Sequence, residues 1–240
     1  SVIIGYGLVP LVDEGKADNL VPKVTRLRKE ISKALGFIVP GVRIRDDLNL
    51  EASQYQIKIG QKIVADDIIY ADKKLAIAGD STNLEVSGLK VKEPAFGVDA
   101  YWIDKELQAD AEAKGYVIVE PDDVLTTHLN QIINSYASDL LGQEEVQELL
   151  DNLKVSYPNL VDTVVPKVMP LNQVTSVMKR ILEEGVPISD LRLILESLSS
   201  MNIQKMDSDD IAERIRPKLV PLLIQKLLKF KDTIPLITFS

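Results

Sequence analysis

Cysteine is absent from this 240-residue sequence, histidine occurs once, and aromatic residues make up only 5% of the chain. Without cysteine the chain can hold no disulfide, no thiolate zinc site, no iron–sulfur cluster and no cysteine nucleophile. The single histidine, His128, also excludes a multi-histidine metal centre. These absences favour a reducing compartment, and we expect neither a bound metal nor a cofactor.

Basic residues are fewer than acidic ones: 28 lysines and arginines stand against 36 aspartates and glutamates, for a net charge of −8. This balance argues against broad binding to nucleic acid or anionic lipid, although it leaves room for a local basic patch. Long apolar runs are also missing, since none approaches the roughly 18 residues needed to cross a bilayer. The start has no signal-peptide pattern. The missing initiator Met and the apolar, strand-like ending over 233–240 predict a piece of a longer protein.

Strand and helix patterns alternate in the first half of the sequence. Alternating and β-branched apolar runs predict strands over 2–12, 42–50, 55–59, 63–65, 75–77 and 116–119. Apolar spacings of three and four predict a helix from Leu20 to a C-cap at Gly36. Further helices are predicted over 104–114 and from Pro121 onward, and turn-forming residues predict a surface loop over 79–93.

Beyond Gly142 the sequence predicts one helix after another. Apolar stripes begin at Val146, Val174 and Leu191, and Ser189 is the expected N-cap of the last of these. The acids of 207–210 lack the glycine and distal glutamate of a calcium loop, and they are expected to begin another helix. Short connections predict a compact all-α domain with a boundary near residue 140, so the fold class is α+β.

Catalytic patterns are weak. His128 could serve as a base or a ligand, but no nucleophile motif surrounds it, so a structural, hydrogen-bonded histidine is favoured. Asp46 and Asp47 are adjacent on a predicted strand and point to opposite faces, so pairing with Arg43 or Arg45 is favoured over a shared proton. There is no glycine-rich phosphate loop. We therefore assign no catalytic residue and expect a protein that is not an enzyme.

One segment stands out, Lys92 to Ile103, which holds the single Trp, one of four Phe, a Pro and a Gly. One interpretation is a loop pinned into the core by its aromatic residues, which suits Trp102. The other is a rigid loop that leaves Phe96 on a concave surface, ready to accept an apolar side chain of a partner. The residues alone do not separate these two interpretations.

The run Glu93-Pro-Ala-Phe-Gly97 with Trp102-Ile103 resembles the signature of the FHIPEP family, the export-gate proteins of flagellar and injectisome type III secretion. Matching segments follow in family order along nearly the whole chain. The Arg-Asp-Asp-Leu and Pro-Ala-Phe-Gly segments fit the flagellar branch better. Matches beyond the signature lie at Gly5 to Asp13, Gly36-Phe37, Val42 to Asp46, Thr127 to Leu129, Leu149 to Leu153 and Val174 to Leu198.

The resemblance implies the cytoplasmic part of a bacterial inner-membrane protein, assembled as a nonameric ring beneath the export channel. It implies four subdomains. The first, thioredoxin-like in outline, covers 1–71 and 121–140, and a small α/β second subdomain, 72–120, is inserted into it. A helical third covers 141–220, and the fourth, 221–240, is mostly absent. The implied partners are chaperone–substrate complexes and other export-apparatus proteins, including the ATPase complex.

In the family, chaperone–substrate complexes dock into an apolar dimple between the first two subdomains. The positions that match are Glu93, Pro94, Phe96 and Thr127. Glu93 departs from the aspartate common in the family, which lengthens its reach. We expect Phe96 to take an apolar anchor while Glu93 and Thr127 at the rim set orientation through hydrogen bonds. The alternatives are the cytoplasmic domain of an injectisome export gate, a purely structural ring module and an enzyme.

Overall fold

The computed structural model describes residues 1–13, 19–79, 82, 85–203 and 206–228, with side chains throughout except at 222, 223 and 225–228. The chain forms two compact units, Ser1–Ile31 with Pro40–Ser135, and Ser32–Val39 with Tyr136–Ser240. The first unit contains two sheets and the second is helical, which confirms the α+β class. The finer division into four subdomains stays a prediction, and the predicted strand at 233–240 lies outside the described residues.

The first sheet has the order β2-β1-β3-β4, in which β1 and β2 run parallel and the other pairs antiparallel. Helix α1, Leu20–Leu35, lies in the connection between the parallel strands and ends at Gly36 (φ +93°), as predicted. Alternation buries Tyr55 and Ile57, and Gly60 (φ +57°) turns the chain from β3 into β4. The strands are β1 Val2–Ile4, β2 Ile44–Asp46, β3 Gln54–Ile59 and β4 Lys62–Ile68.

The strand predicted over 2–12 is wrong beyond its first residues. After β1 the chain forms a 3-10 helix, Tyr6–Leu11. Gly5 N donates to the carbonyl oxygen of Gln54 at 2.8 Å, and Gly7 N donates to that of Ala52 at 2.9 Å. A Cβ on Gly5 would lie 1.9 Å from the carbonyl oxygen of Glu51, so this close backbone approach requires glycine.

The arginine pairing predicted for Asp46 and Asp47 is also wrong. The Asp47 carboxylate accepts from the backbone and side-chain amides of Asn49, at 2.9 and 2.8 Å. Within the described ranges, no ion pair joins either aspartate to Arg43 or Arg45. The residue after β2 therefore closes a turn by a local hydrogen bond, which a short aspartate side chain does readily.

The second sheet is antiparallel with the order β6-β7-β5-β8. The surface loop predicted over 79–93 is wrong at its end, because Leu89–Lys92 forms the edge strand β6. A 3-10 turn, Lys105–Leu107, leads into α2, Gln108–Ala113, beside a cluster that includes Tyr101, Ile103 and Tyr116. The other strands are β5 Lys73–Ile77, β7 Asp99–Asp104 and β8 Val117–Val119.

Helix α3, Pro121–Ser135, completes the first unit, with the proline at its first position as predicted. The second unit is built around α7, which contacts α4, α5 and α9 and buries the predicted stripe from Val174 to Leu182. No helix of the described segments is both long and apolar enough to cross a bilayer. The helices of this unit are α4 Ala137–Leu140, α5 Gln143–Ser156, α6 Pro158–Thr163, α7 Leu171–Glu183, α8 Leu191–Ser200 and α9 Ser208–Leu228, with a π-helical turn at Val164–Val168.

The N-caps of this unit correct one prediction and confirm another. Asp190, not Ser189, caps α8, because its Oδ1 accepts from Leu193 N at 3.0 Å. The backbone of Ser189 instead packs closely against Gly36, since a Cβ on Gly36 would lie 2.3 Å from Ser189 Cα. Asp207 caps α9 by accepting from Asp210 N at 2.8 Å, which confirms the capping role predicted for these acids.

Candidate functional site

The predicted docking loop is the tip of a β-hairpin. Strands β6 and β7 are joined by residues 93–98, and the Lys92–Asp99 ion pair closes the base with an Nζ–Oδ1 distance of 2.8 Å. Glu93 N donates to the Val98 carbonyl oxygen, and Gly97 N donates to that of Glu93, both at 2.8 Å. Gly97 has φ +68°, which disfavours any residue with a Cβ. The backbone of the tip is therefore fixed by its own hydrogen bonds.

Glu93 lies beneath this loop rather than at its rim. Its side chain is buried, and the residue is 4% exposed. Oε1 accepts from Ala95 N at 2.9 Å and Oε2 from Phe96 N at 2.8 Å. The expectation that this carboxylate orients a partner from the rim is wrong, because both oxygens serve the loop itself. Glu93 acts as the residue that positions Phe96.

Phe96 points outward from this fixed turn. The residue is 71% exposed, Val98 is 42% exposed, and Pro94 is half-buried beside them. Trp102 further along β7 is buried and packs edge-on against Tyr70, with ring centroids 5.6 Å apart. The first interpretation holds for Trp102, which anchors the hairpin in the core, whereas Phe96 is exposed and its role in accepting a partner side chain stays a prediction.

Thr127 is half-buried on α3, next to the buried His128. His128 Nδ1 lies 2.5 Å from the Tyr55 hydroxyl oxygen, and the two rings meet edge-on with centroids 5.8 Å apart. This confirms the prediction of a structural, hydrogen-bonded histidine. The pair fixes the turn of α3 that carries Thr127 against strand β3.

Charge links this histidine pair to the loop. Burial lowers the pKa of His128, and the carboxylates of Asp67 and Glu93 act against that shift. Burial also raises the pKa of Tyr55, and Asp67 and Glu93 raise it further. The pKa of Asp67 is raised by burial and held back by the Ile68 N–H and by His128. The charges of the loop and of β4 therefore act on the Tyr55–His128 pair, which we call one polar cluster with Asp67 and Glu93, and burial favours the neutral form of both rings.

Two members of this cluster, Tyr55 and Asp67, are absent from the sequence-based site. Alternation along 55–59 predicts a buried face that includes Tyr55, but no spacing connects that face to a histidine 73 positions later. Asp67 lies on a strand that runs beyond its predicted end. Long-range pairing of this kind leaves no local pattern in a single sequence.

Two clefts of the first unit have linings that do not include His128. One of about 280 Å³ is lined by Lys23, Arg26, Leu27, Glu30, Asp123 and Thr126. A second, of about 290 Å³, is lined by Glu51, Gln54, Asp66, Asp67 and Ile68. No group of three potential metal ligands occurs in the part of the chain that the structure describes. The arrangement best suits recognition, since its exposed element is an aromatic side chain on a fixed loop.

Comparison with known families gives a match over the full sequence. The model of the FHIPEP family covers residues 1–240. This chain belongs to the FHIPEP family. The signature residues Glu93 to Gly97 thus lie, within an FHIPEP protein, at the tip of the β6–β7 hairpin.

Among FHIPEP relatives, the flagellar biosynthesis protein FlhA of Buchnera aphidicola (Schizaphis graminum) is 36% identical over 234 residues, 98% of this chain and 34% of that protein. FlhA of Helicobacter pylori is 32% identical, over 100% of this chain and 33% of that protein. FlhA of Escherichia coli is 32% identical, over 98% and 34%. The chain therefore spans about a third of the length of these relatives.

Solved structures of the same fold include the CdsV protein of Chlamydia pneumoniae, with a TM-score of 0.83 and 24% identity over 97% of this chain and 70% of that one. Nonameric SctV-C of EPEC has a TM-score of 0.67 and 18% identity, over 94% and 66%. At these identities the likeness establishes the fold of the FHIPEP chain.

Proposed function

We propose that this chain is a cytoplasmic docking platform of a type III protein export gate, which binds export chaperone–substrate complexes for flagellar protein secretion. Family membership and the flagellar names of relatives at 30–36% identity support the flagellar assignment. The observation that carries the docking role is Phe96, 71% exposed on a loop whose backbone is fixed by Glu93.

Docking proceeds by burial of an apolar side chain of the partner and forms no covalent bond. A partner side chain covers Phe96 and Val98, with Pro94 beside them, and Thr127 on α3 serves as a hydrogen-bonding group. Covering one such aromatic side chain stabilises a complex by about 1.5–3 kcal/mol before ordering costs. Those costs are low on this side, because the loop is already held in one conformation by Glu93.

Assembly and location follow from the same proposal. The chain forms part of a nonameric ring on the cytoplasmic side of the bacterial inner membrane, and it contacts further export-apparatus proteins, including the ATPase complex. Nonameric SctV-C, which shares this fold, supports the ring, and the complex of CdsV with CdsO in Chlamydia pneumoniae supports contact with a further protein. The proposal includes the four-subdomain division, in which 72–120 is inserted between 1–71 and 121–140.

Replacing Phe96 tests the docking role. We expect Phe96→Ala to weaken binding of a flagellar chaperone–substrate complex about 10- to 150-fold, the equivalent of the lost anchor. Isothermal titration calorimetry measures the affinity, and circular dichroism verifies that the fold is unchanged. Val155→Ala is the matched control, because Val155 is an exposed apolar residue (85%) of the helical unit. Equal affinity of Phe96→Ala and wild type would contradict the proposal and leave a purely structural ring module.

A further inference from the structure

Strand β6 is an edge of the second sheet. It pairs only with β7 among the described strands, with Leu89 opposite Trp102, Lys90 opposite Tyr101, Val91 opposite Ala100 and Lys92 opposite Asp99. Its residues are unusually accessible: Leu89 is 50% exposed, and Lys90 and Lys92 are exposed. An accessible edge strand offers backbone groups to another chain.

The register identifies which backbone groups face outward. Glu93 N bonds the Val98 carbonyl, so the opposed pair 93 and 98 is a hydrogen-bonded pair. Such pairs alternate along an antiparallel ladder, so Val91 and Leu89 also direct their N–H and C=O groups toward β7. The N–H and C=O groups of Lys90 and Lys92 therefore point to the open side. Ala78 N, which donates to the Asp99 carbonyl at 3.1 Å, agrees with this alternation, because it turns Asp99 toward β5.

The described residues of the segment that leads into β6 contact another part of the sheet. Thr82 Oγ1 donates to the Gly115 carbonyl at 3.2 Å, and Lys114 Nζ donates to the Glu85 carbonyl at 3.3 Å. Residues 82 and 85 therefore contact residues 114 and 115, which join α2 to β8, the strand at the opposite edge of the sheet. Over the described residues, nothing pairs with the outer edge of β6.

The side chains of β6 define two different faces. Leu89 and Val91 lie on the face of Trp102, whereas Lys90 and Lys92 lie on the other. Lys92 forms an ion pair with Asp99, and Lys90 has no ion-pair partner within the described ranges. Edge-to-edge pairing of two copies would oppose lysine to lysine, which disfavours a second copy of this chain. The same lysines attract a strand that carries carboxylates.

We propose that the outer edge of β6 binds an extended segment of a partner protein by strand addition. The segment alternates acidic residues, which face Lys90 and Lys92, with apolar residues, which face Leu89 and Val91. The backbone groups of Lys90 and Lys92 supply the hydrogen bonds, and the side chains supply selectivity. This site does not depend on docking at Phe96, although it adjoins the same hairpin tip.

A short capped peptide that alternates glutamate and valine is the probe. Hydrogen exchange followed by NMR reads the edge directly: saturating peptide slows exchange of the Lys90 and Lys92 amides, whereas the Val91 amide is protected with or without it. Exchange at Lys90 and Lys92 that is unaffected by saturating peptide overturns the proposal.

Two substitutions distinguish the contribution of the backbone hydrogen bond to peptide binding from that of the lysine charge. Lys90→Pro removes an outward N–H without breaking a β6–β7 hydrogen bond. It binds the peptide about fivefold more weakly than its control Lys90→Ala. Lys90→Glu weakens binding of the glutamate–valine peptide about fivefold and strengthens binding of a lysine–valine peptide by a similar factor.

Equal binding by Lys90→Pro and Lys90→Ala, or a concentration-dependent dimer in place of peptide binding, also overturns the proposal. Phe96→Ala leaves peptide affinity unchanged, so this result and the chaperone-docking result are distinguishable.

Discussion

At the scale of single residues, the carboxylate of Glu93 accepts the amides of Ala95 and Phe96 and so holds the tip of the hairpin. We predict that Glu93→Gln loosens this turn, because one carboxamide oxygen can accept only part of this pair and its NH2 group would face an amide donor. A charge-assisted hydrogen bond contributes about 1.5 kcal/mol, so exchange of the Phe96 amide should accelerate about tenfold. Hydrogen exchange measured by NMR gives the rate.

Glu93→Asp is the conservative control for this prediction. A shorter carboxylate commonly accepts amides two and three residues ahead, so aspartate should preserve the slow exchange of Phe96. Equal exchange rates in Glu93→Gln and wild type would show that the main-chain bonds of Glu93 and Gly97 alone fix the tip.

His128 should make stability depend on pH. Burial lowers its pKa below the ordinary value of 6.5, so the unfolded chain binds a proton that the folded chain does not. Stability therefore rises with pH within this interval. We predict that the free energy of unfolding decreases as pH falls through 6.5 toward the lowered pKa of the folded state. Urea titrations between pH 7.5 and about 5.5 measure it.

The single histidine makes the control clean, because His128→Gln removes the only imidazole. Asp67 has a raised pKa and so keeps a proton longer in the folded state than in the unfolded chain. Its contribution to stability is therefore lost as pH rises above 3.8, so its pH dependence has the opposite sign to that of His128. The amino group of Ser1, whose pKa burial lowers, has the same sign as the histidine. Both groups persist in His128→Gln, so a slope of the predicted sign that survives in this variant would assign the pH dependence to the Ser1 amino group, since Asp67 has the opposite sign.

At the scale of elements, Gly36 ends α1 where the chain packs against the start of α8. It has φ +93°, Ile188 N donates to the Leu35 carbonyl at 2.9 Å, and an added Cβ would lie 2.3 Å from Ser189 Cα. We predict that Gly36→Ala lowers the free energy of unfolding by about 3 kcal/mol or more, because positive φ and steric overlap add. Chemical denaturation monitored by circular dichroism measures the loss.

Gly185 offers a matched control, since it ends α7 at φ +75° and has open space where a Cβ would be placed. Gly185→Ala should cost only about 1 kcal/mol, the expense of the backbone conformation. If the two alanine variants were equally stable, contact with Ser189 would not be what requires glycine at residue 36.

Elements with strong local patterns are the predictable ones. Spacing finds α1, α3 and α7, and alternation finds β3. Strand β6 is missed because Leu89–Lys92 has only four residues, with turn formers before it, although its apolar–lysine alternation was a usable signal. The 2–12 run resembles a buried strand, but the glycines at 5 and 7 bend the chain against residues 51–54, a contact that only the folded structure reveals.

At the scale of the whole molecule, composition and periodicity predict an α+β protein with a helical second half, and the two compact units agree with that class. The site is predictable only in part. The Pro–Phe–Gly cluster points to Phe96, whereas the Tyr55–His128 hydrogen bond beneath Thr127 joins residues far apart in sequence. Burial reverses the expected role of Glu93, and burial depends on tertiary packing.

The prearranged hairpin tip also has a kinetic consequence. In the proposed docking, a partner meets a loop that needs no rearrangement before contact, because its amides are already bonded to Glu93. Association should then be limited by encounter, and differences in strength among cargo complexes should reside in their dissociation rates. Release of one complex, rather than capture of the next, would determine how quickly the platform becomes available again.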